Sequence, residues 1–185
     1  PLAYTGAYGT NGFYLPMKPT TQATGQNTVL YTGSGTSQSI TGLGFQPDFV
    51  WIKGRSDAQY HVLQNSVTGA GKTLFSNTTT AETGNAGDFI SSFDSDGFTV
   101  NNTYAGGTNN TVDGSGKTYV AWCWDAGSGS AGTNTEGSIN STVKANTTSG
   151  FSVVSYTGDG GADTIGHGLG VAPKFIITKT RSIVN

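Results

Sequence analysis

The sequence predicts an all-β protein, a β-sandwich of jelly-roll-like arrangement, and three observations carry that prediction. Short runs of aromatic and β-branched residues recur along the chain with turn residues between them, as strands of a sandwich do. Glycine is abundant, at 29 of 185 residues, and Thr, Ser and Asn fill much of the remainder, a mix that favours tight turns. Charged residues make up only 11% of the chain, where ordinary soluble domains carry about 25%, so long helices lack the Glu, Lys and Arg they need.

Taken in order, the strand runs are TVLYTG (28–33), DFVWIKGR (48–55), YHVLQN (60–65), KTLFSN (72–77), DFISSF (88–93), GFTVNN (97–102) and TYVAWCW (118–124). Pro47 opens the second of them, where a missing N–H does least harm. The stretch from Asp94 to Gly97 is an Asp-Gly turn leading into the sixth run, a hairpin signal. Between Leu74 and Phe89 the chain makes its long excursion.

An internal repeat sets the domain organisation. The segment YTGSGTSQSITGLGFQPDFVWIKGRS, from Tyr31, returns as YTGDGGADTIGHGLGVAPKFIITKTRS, from Tyr156. With one insertion near His167, half of the positions of the first copy are identical, including Tyr-Thr-Gly, Gly-Leu-Gly, Pro47/Pro173, Phe49/Phe175, Lys53/Lys179 and Arg55-Ser56/Arg181-Ser182. The period is far too long for a solenoid unit and about the length of a domain. The expected organisation is an exit strand and linker from a preceding unit (1–27) and a β-sandwich, copy one (28–126). A Gly/Ser/Thr-rich linker or surface excursion (127–148) and the start of a second, truncated copy (149–185) come after it. A tandem repeat cut short at its C-terminus is expected to be a piece of a longer protein.

Two stretches imitate a phosphate-binding loop, ending in Gly71-Lys72-Thr73 and Gly116-Lys117-Thr118. Such a loop needs a further glycine five residues before the second one and a helix after it. Ser66 and Thr111 stand where those glycines should be. The residues after Thr118 read as a strand, and those after Thr73 make a poor helix. Both stretches are expected to be glycine turns entering strands.

The net charge of −2 leaves no basic surface to neutralise phosphates, so nucleic acid is not an expected partner. No run approaches the length of a membrane-spanning helix, and no membrane partner is expected. The single cysteine, Cys123, excludes an internal disulfide framework. Its aromatic neighbours in AWCWDAG make it a buried structural thiol. Asp94 and Asp96 resemble the start of a calcium loop, but glycine comes fourth instead of sixth, so a turn is expected. Asp159 and Asp163 present a loop pair for a cation. Copy one has Ser34 and Gln38 at those positions, so the charge does not belong to the fold. Acidic residues are few, 11 in all, no pair stands out for glycoside chemistry, and no Gly-x-Ser-x-Gly elbow occurs. No catalytic, metal or cofactor residues are assigned, and the chain is expected not to be an enzyme.

Trp51, Trp122 and Trp124 are the candidates for a sugar-stacking surface, with Trp122 and Trp124 assigned as glycan-stacking residues. On a strand they share one face and Cys123 takes the other. Exposed, the pair is a ligand platform; buried, it is packing, and burial is the expected outcome.

In combination, GLGFQPDFVWIKGRS, FDSDGFTVNN and KTYVAWCWDAG resemble a repeated domain of large virion proteins of tailed phages, particularly marine ones. The upstream YGTNGFYLP resembles the exit of a lectin-like jelly-roll segment that precedes this domain. The resemblance covers nearly all of copy one and the opening of copy two. It implies a virion location, in a tail fibre or surface appendage, and no known chemistry. The expected function is a structural particle component. It assembles as a homo-oligomer, a trimer, beside other virion proteins, and its possible outside contact is a host surface glycan. The alternatives are a carbohydrate-binding lectin-like module and a capsid decoration protein.

Overall fold

The computed structural model describes residues 25–104 and 107–182. In chain order the strands are β1 (Gln26–Thr32), β2 (Gln38–Thr41), β3 (Phe49–Gly54), β4 (Val62–Asn65), β5 (Leu74–Phe75), β6 (Ile90–Asp94), β7 (Gly97–Val100), β8 (Thr103–Tyr104) and β9 (Gly107–Thr108). One helical turn, α1 (Asn110–Asp113), precedes β10 (Thr118–Trp124), β11 (Gly132–Asn134), β12 (Ser141–Asn146) and β13 (Phe151–Tyr156). All seven runs expected from the sequence contain strands. The exit strand expected within residues 1–27 falls almost wholly outside the described residues.

The arrangement is an all-β sandwich. One sheet has the order β1-β10-β3-β4-β5 and the other β2-β7-β6. The first strand pairs with β10 and the second with β7, a nesting of early strands against late ones that resembles a jelly roll. From β3 to β5 the chain runs as a plain antiparallel meander. The two-residue turn after Asp94 joins β6 to β7, as the Asp-Gly signal predicts.

Alternation of side chains decides which face is core. Along β10, Tyr119, Ala121 and Cys123 are buried while Val120, Trp122 and Trp124 are half-buried. Along β3, Val50 and Ile52 are buried while Phe49 and Trp51 are half-buried. The inner rows meet Ile40, Phe98 and Val100 of the facing sheet. Each fully buried Val, Ile or Phe contributes about 1.5–3 kcal/mol relative to exposure. The excursion after β5 returns through Phe89, whose positive φ of 55° is unusual for an aromatic residue. It is held there by burial between Phe75 and Tyr104 and by backbone bonds to Thr103 and Asn101.

The stretch 127–148, expected as a linker or excursion, holds two strands. β11, β12 and β13 form a third antiparallel sheet. Its polar composition hid the strands. Val143 lies opposite Val154 across the β12–β13 register, and a partner strand supplies what local hydrophobicity does not.

Candidate functional site

The aromatic outer face is built by β3 and β10, whose register sets Trp51 opposite Trp122 and Phe49 opposite Trp124. Strand alternation therefore places all four rings on the side away from the core. The Trp51 and Trp122 rings meet edge to face, with centroids 5.8 Å apart. Phe151 of β13 stacks on Trp124 at 5.9 Å with the planes 20° apart. It also lies 6.2 Å from Phe49, which contacts Trp124 at 5.4 Å. Trp124 is thus enclosed by two phenylalanines, Phe49 of β3 and Phe151 of β13. Trp122 and Trp51 remain half-buried. The Trp51 indole N–H is buried without a hydrogen-bond partner among the described residues.

Beside this cluster lies a buried ion pair. Asp48 is fully buried and accepts hydrogen bonds from Ser66 Oγ (2.5 Å), the Ala126 N–H (2.8 Å) and Lys144 Nζ (2.6 Å). Lys144 comes from β12, so the pair pins the third sheet to copy one. A second strap joins the C-terminal segment to the excursion. Arg181 grips Glu82 with two bonds of 2.8 Å and reaches Ser155. Lys179 donates to the Thr78 carbonyl at 2.8 Å.

Asp113 forms a third polar node. It accepts from the Ser34 N–H (2.7 Å), Ser34 Oγ (3.0 Å) and Gln38 Nε2 (2.6 Å). Asn109 caps α1 by accepting from the Thr111 N–H, and Tyr119 donates to the Asn110 carbonyl at 2.5 Å. Tyr31 stacks on Tyr119 at 5.1 Å and donates to the Val112 carbonyl. Burial, then the neighbouring Tyr119 and Asp113, push the Tyr31 phenol well up. Burial also raises that of Tyr119, against the opposing Gly114 N–H bond. No sequence motif announces these contacts; the one local signal was a short polar residue before a glycine.

The remaining sequence candidates have structural partners. Asp96 accepts from the Gly42 and Gly44 N–H groups (3.1 and 2.6 Å) and Asp94 from Thr99, so this pair closes a turn and a loop. Asp159 accepts from the Gly161 N–H; that bond, then one with Asp163, lowers its carboxyl. Asp163 takes the Ser138 hydroxyl at 2.8 Å. The described residues contain no cluster of three or more His, Cys, Asp or Glu able to hold a metal. Thr118 opens β10, and Lys117 pairs with Asp57 at 2.9 Å. Thr73 is buried, bonded to Gln64 and bridged to Thr83. Neither phosphate-loop lookalike leads into a helix. Cys123 is buried, and desolvation pushes its thiol up to about 12.

The protein is a β-sandwich whose outer aromatic face is overlaid by Phe151 of β13. The chain belongs to the family described as a domain of unknown function (DUF7483), whose model matches residues 23–185. No curated protein and no solved structure matches the chain. No helix among the described residues is long and apolar enough to cross a membrane.

Proposed function

We propose that the chain is a structural module of a tailed-phage particle, part of a tail fibre or surface appendage, that assembles as a homo-oligomer, a trimer. Other virion proteins are its neighbours and a host surface glycan is its outside contact. The observation that carries the reading is the use made of the outer face. Phe151 covers the Trp124 platform, and Lys144 enters copy one to neutralise the buried Asp48. Surface that a binding module keeps open is spent on joining one repeat to the next, as an extended appendage requires. The phage resemblance of the sequence motifs supplies the location. Light scattering of the purified natural polypeptide, with unboiled SDS electrophoresis, tests it. An SDS-resistant trimer is expected; a stable monomer counts against the fibre.

One observation favours a carbohydrate-binding module as the second reading. Trp51 and Trp122 remain half-exposed on the same sheet face as Leu30, which is 60% exposed, and aromatic faces with apolar surroundings suit sugar rings. Glycan-array binding that is lost with Trp122→Ala selects this reading over the first.

A further inference from the structure

Lys144 Nζ and Asp48 Oδ1 meet at 2.6 Å, with the aspartate side chain wholly out of solvent and the lysine side chain 12% exposed. Asp48 stands just before β3 and Lys144 in β12, 96 residues apart. The two carboxylate oxygens have different surroundings. Oδ1 takes Lys144 Nζ and the Ser66 hydroxyl, the latter at 2.5 Å. Oδ2 takes the Ala126 N–H at 2.8 Å. An amine is a nucleophile and a carboxyl carbon an electrophile, and here the two are held in contact away from water. Reactants fixed in contact reach effective concentrations of about 10⁵–10⁸ M, which favours a condensation that dilute amine and acid do not undergo in water.

We propose that Asp48 and Lys144 condense to an intramolecular amide, a covalent tie between β12 and the start of β3, with Ser66 as the proton relay. The ion pair is the reactant state, present as soon as the chain folds. One proton moves from Nζ to Oδ1 along the 2.6 Å hydrogen bond, giving amine and acid with no change in net charge. The Nζ lone pair then attacks Cγ, and the C–N bond forms. Negative charge gathering on Oδ2 meets the Ala126 N–H, as an oxyanion meets a backbone donor. The Ser66 hydroxyl passes its proton to Oδ1 and takes one from the nitrogen. The C–Oδ1 bond breaks and Oδ1 leaves as water. In net terms two of the three ammonium protons depart in that water and the third stays on the amide nitrogen, while Oδ2 remains as the carbonyl oxygen. Nothing is oxidised or reduced, and no co-reactant is needed. With a single cysteine the chain cannot close a disulfide within itself. An amide across this separation would constrain the unfolded chain as a disulfide does.

The test is the intact mass of the full chain, followed from fresh protein through about a week at neutral pH and physiological temperature, since the reacting groups are already in contact. Most of the chain is expected to end lighter by one water. After trypsin, the fragment ending at Lys53 is expected to be joined to fragment 118–174, uncut at Lys144. Lys144→Arg keeps a cation beside Asp48 without the nucleophilic amine and is expected to retain its full mass. Ser66→Ala is expected to lose water about a hundredfold more slowly. Asp-Gly pairs also lose one water on ageing, by cyclising, and the chain has them at Asp96-Gly97, Asp113-Gly114 and Asp159-Gly160. Hydroxylamine opens that ring and leaves the amide intact. An unchanged mass, a water loss that maps to an Asp-Gly pair, the same loss in Lys144→Arg, or an undiminished rate in Ser66→Ala each overturns the proposal. Should Lys144→Arg not fold, the joined fragment from the unsubstituted chain decides alone.

Discussion

Lys144→Met is the perturbation that most directly tests how the third sheet is held. The Lys144 side chain is 12% exposed and that of Asp48 is fully buried. The substitution leaves the stem almost intact and removes the charge. Breaking a buried pair by deleting one partner costs about 3–5 kcal/mol, because the other charge stays behind uncompensated. Asp48 retains Ser66 Oγ and the Ala126 N–H, so the lower end, about 3 kcal/mol, is expected. At a urea slope of roughly 1–3 kcal/mol/M, the denaturation midpoint falls by about 1–3 M. Removing both charges together, with Asp48→Asn and Lys144→Met, is expected to cost clearly less than the two single losses added, since a buried pair replaced as a unit is often nearly neutral. Urea unfolding of the four proteins gives the coupling energy. A Lys144→Met loss under about 0.5 kcal/mol, the range of ordinary surface substitutions, or strict additivity in the double variant, refutes the assignment of this pair as the joint.

Other perturbations separate packing from backbone geometry and chemistry. A Cβ on Gly97 would overlap the Ile40 carbonyl oxygen, so Gly97→Ala is expected to cost about 3 kcal/mol by forcing β2 and β7 apart. At Gly44, with φ of 80° and open space around it, Ala meets only the left-handed backbone penalty, about 1–2 kcal/mol. Thermal unfolding of the two variants should rank them in that order. Cys123 should resist a thiol reagent in the native protein and react only on unfolding, as a thiol raised by burial to about 12 requires. Because folding raises the values of Cys123, Tyr31 and Tyr119, their contribution is complete below the unfolded value of about 9 for the thiol. It is lost as pH climbs towards the folded values, so chemical denaturation at about pH 8, 9, 10 and 11 should show stability falling as pH rises through that range. Trp124→Ala removes the ring between Phe49 and Phe151 and is expected to destabilise by roughly 2–3 kcal/mol. Under the structural reading, any glycan binding should be unaffected by that change, which paired calorimetric measurements would check.

Much of the fold was legible because its signals are local. The β3 and β10 runs announced themselves by β-branched and aromatic residues, and alternation alone assigned Cys123 to one face and Trp122 with Trp124 to the other. Glycine and Asp-Gly turns marked the hairpins. β11 and β12 were not legible, because a Ser/Thr-rich strand is stabilised by its neighbour and not by itself.

By itself the sequence determined the β class, most of the strands between residues 28 and 126 and the likeness of the segments from Tyr31 and from Tyr156, since alternation and turn chemistry act over a few residues. Which face of β10 is core it did not, for the Trp122 and Trp124 pair expected to be buried lies half-buried on the outer face. Tertiary structure alone decided that Lys144 meets Asp48 across 96 residues, that Phe151 covers Trp124, and that Phe175 and Ile176 stand in solvent although their counterparts in copy one pack. Partnership between distant segments depends on which strands arrive beside each other, and no window of local sequence records that.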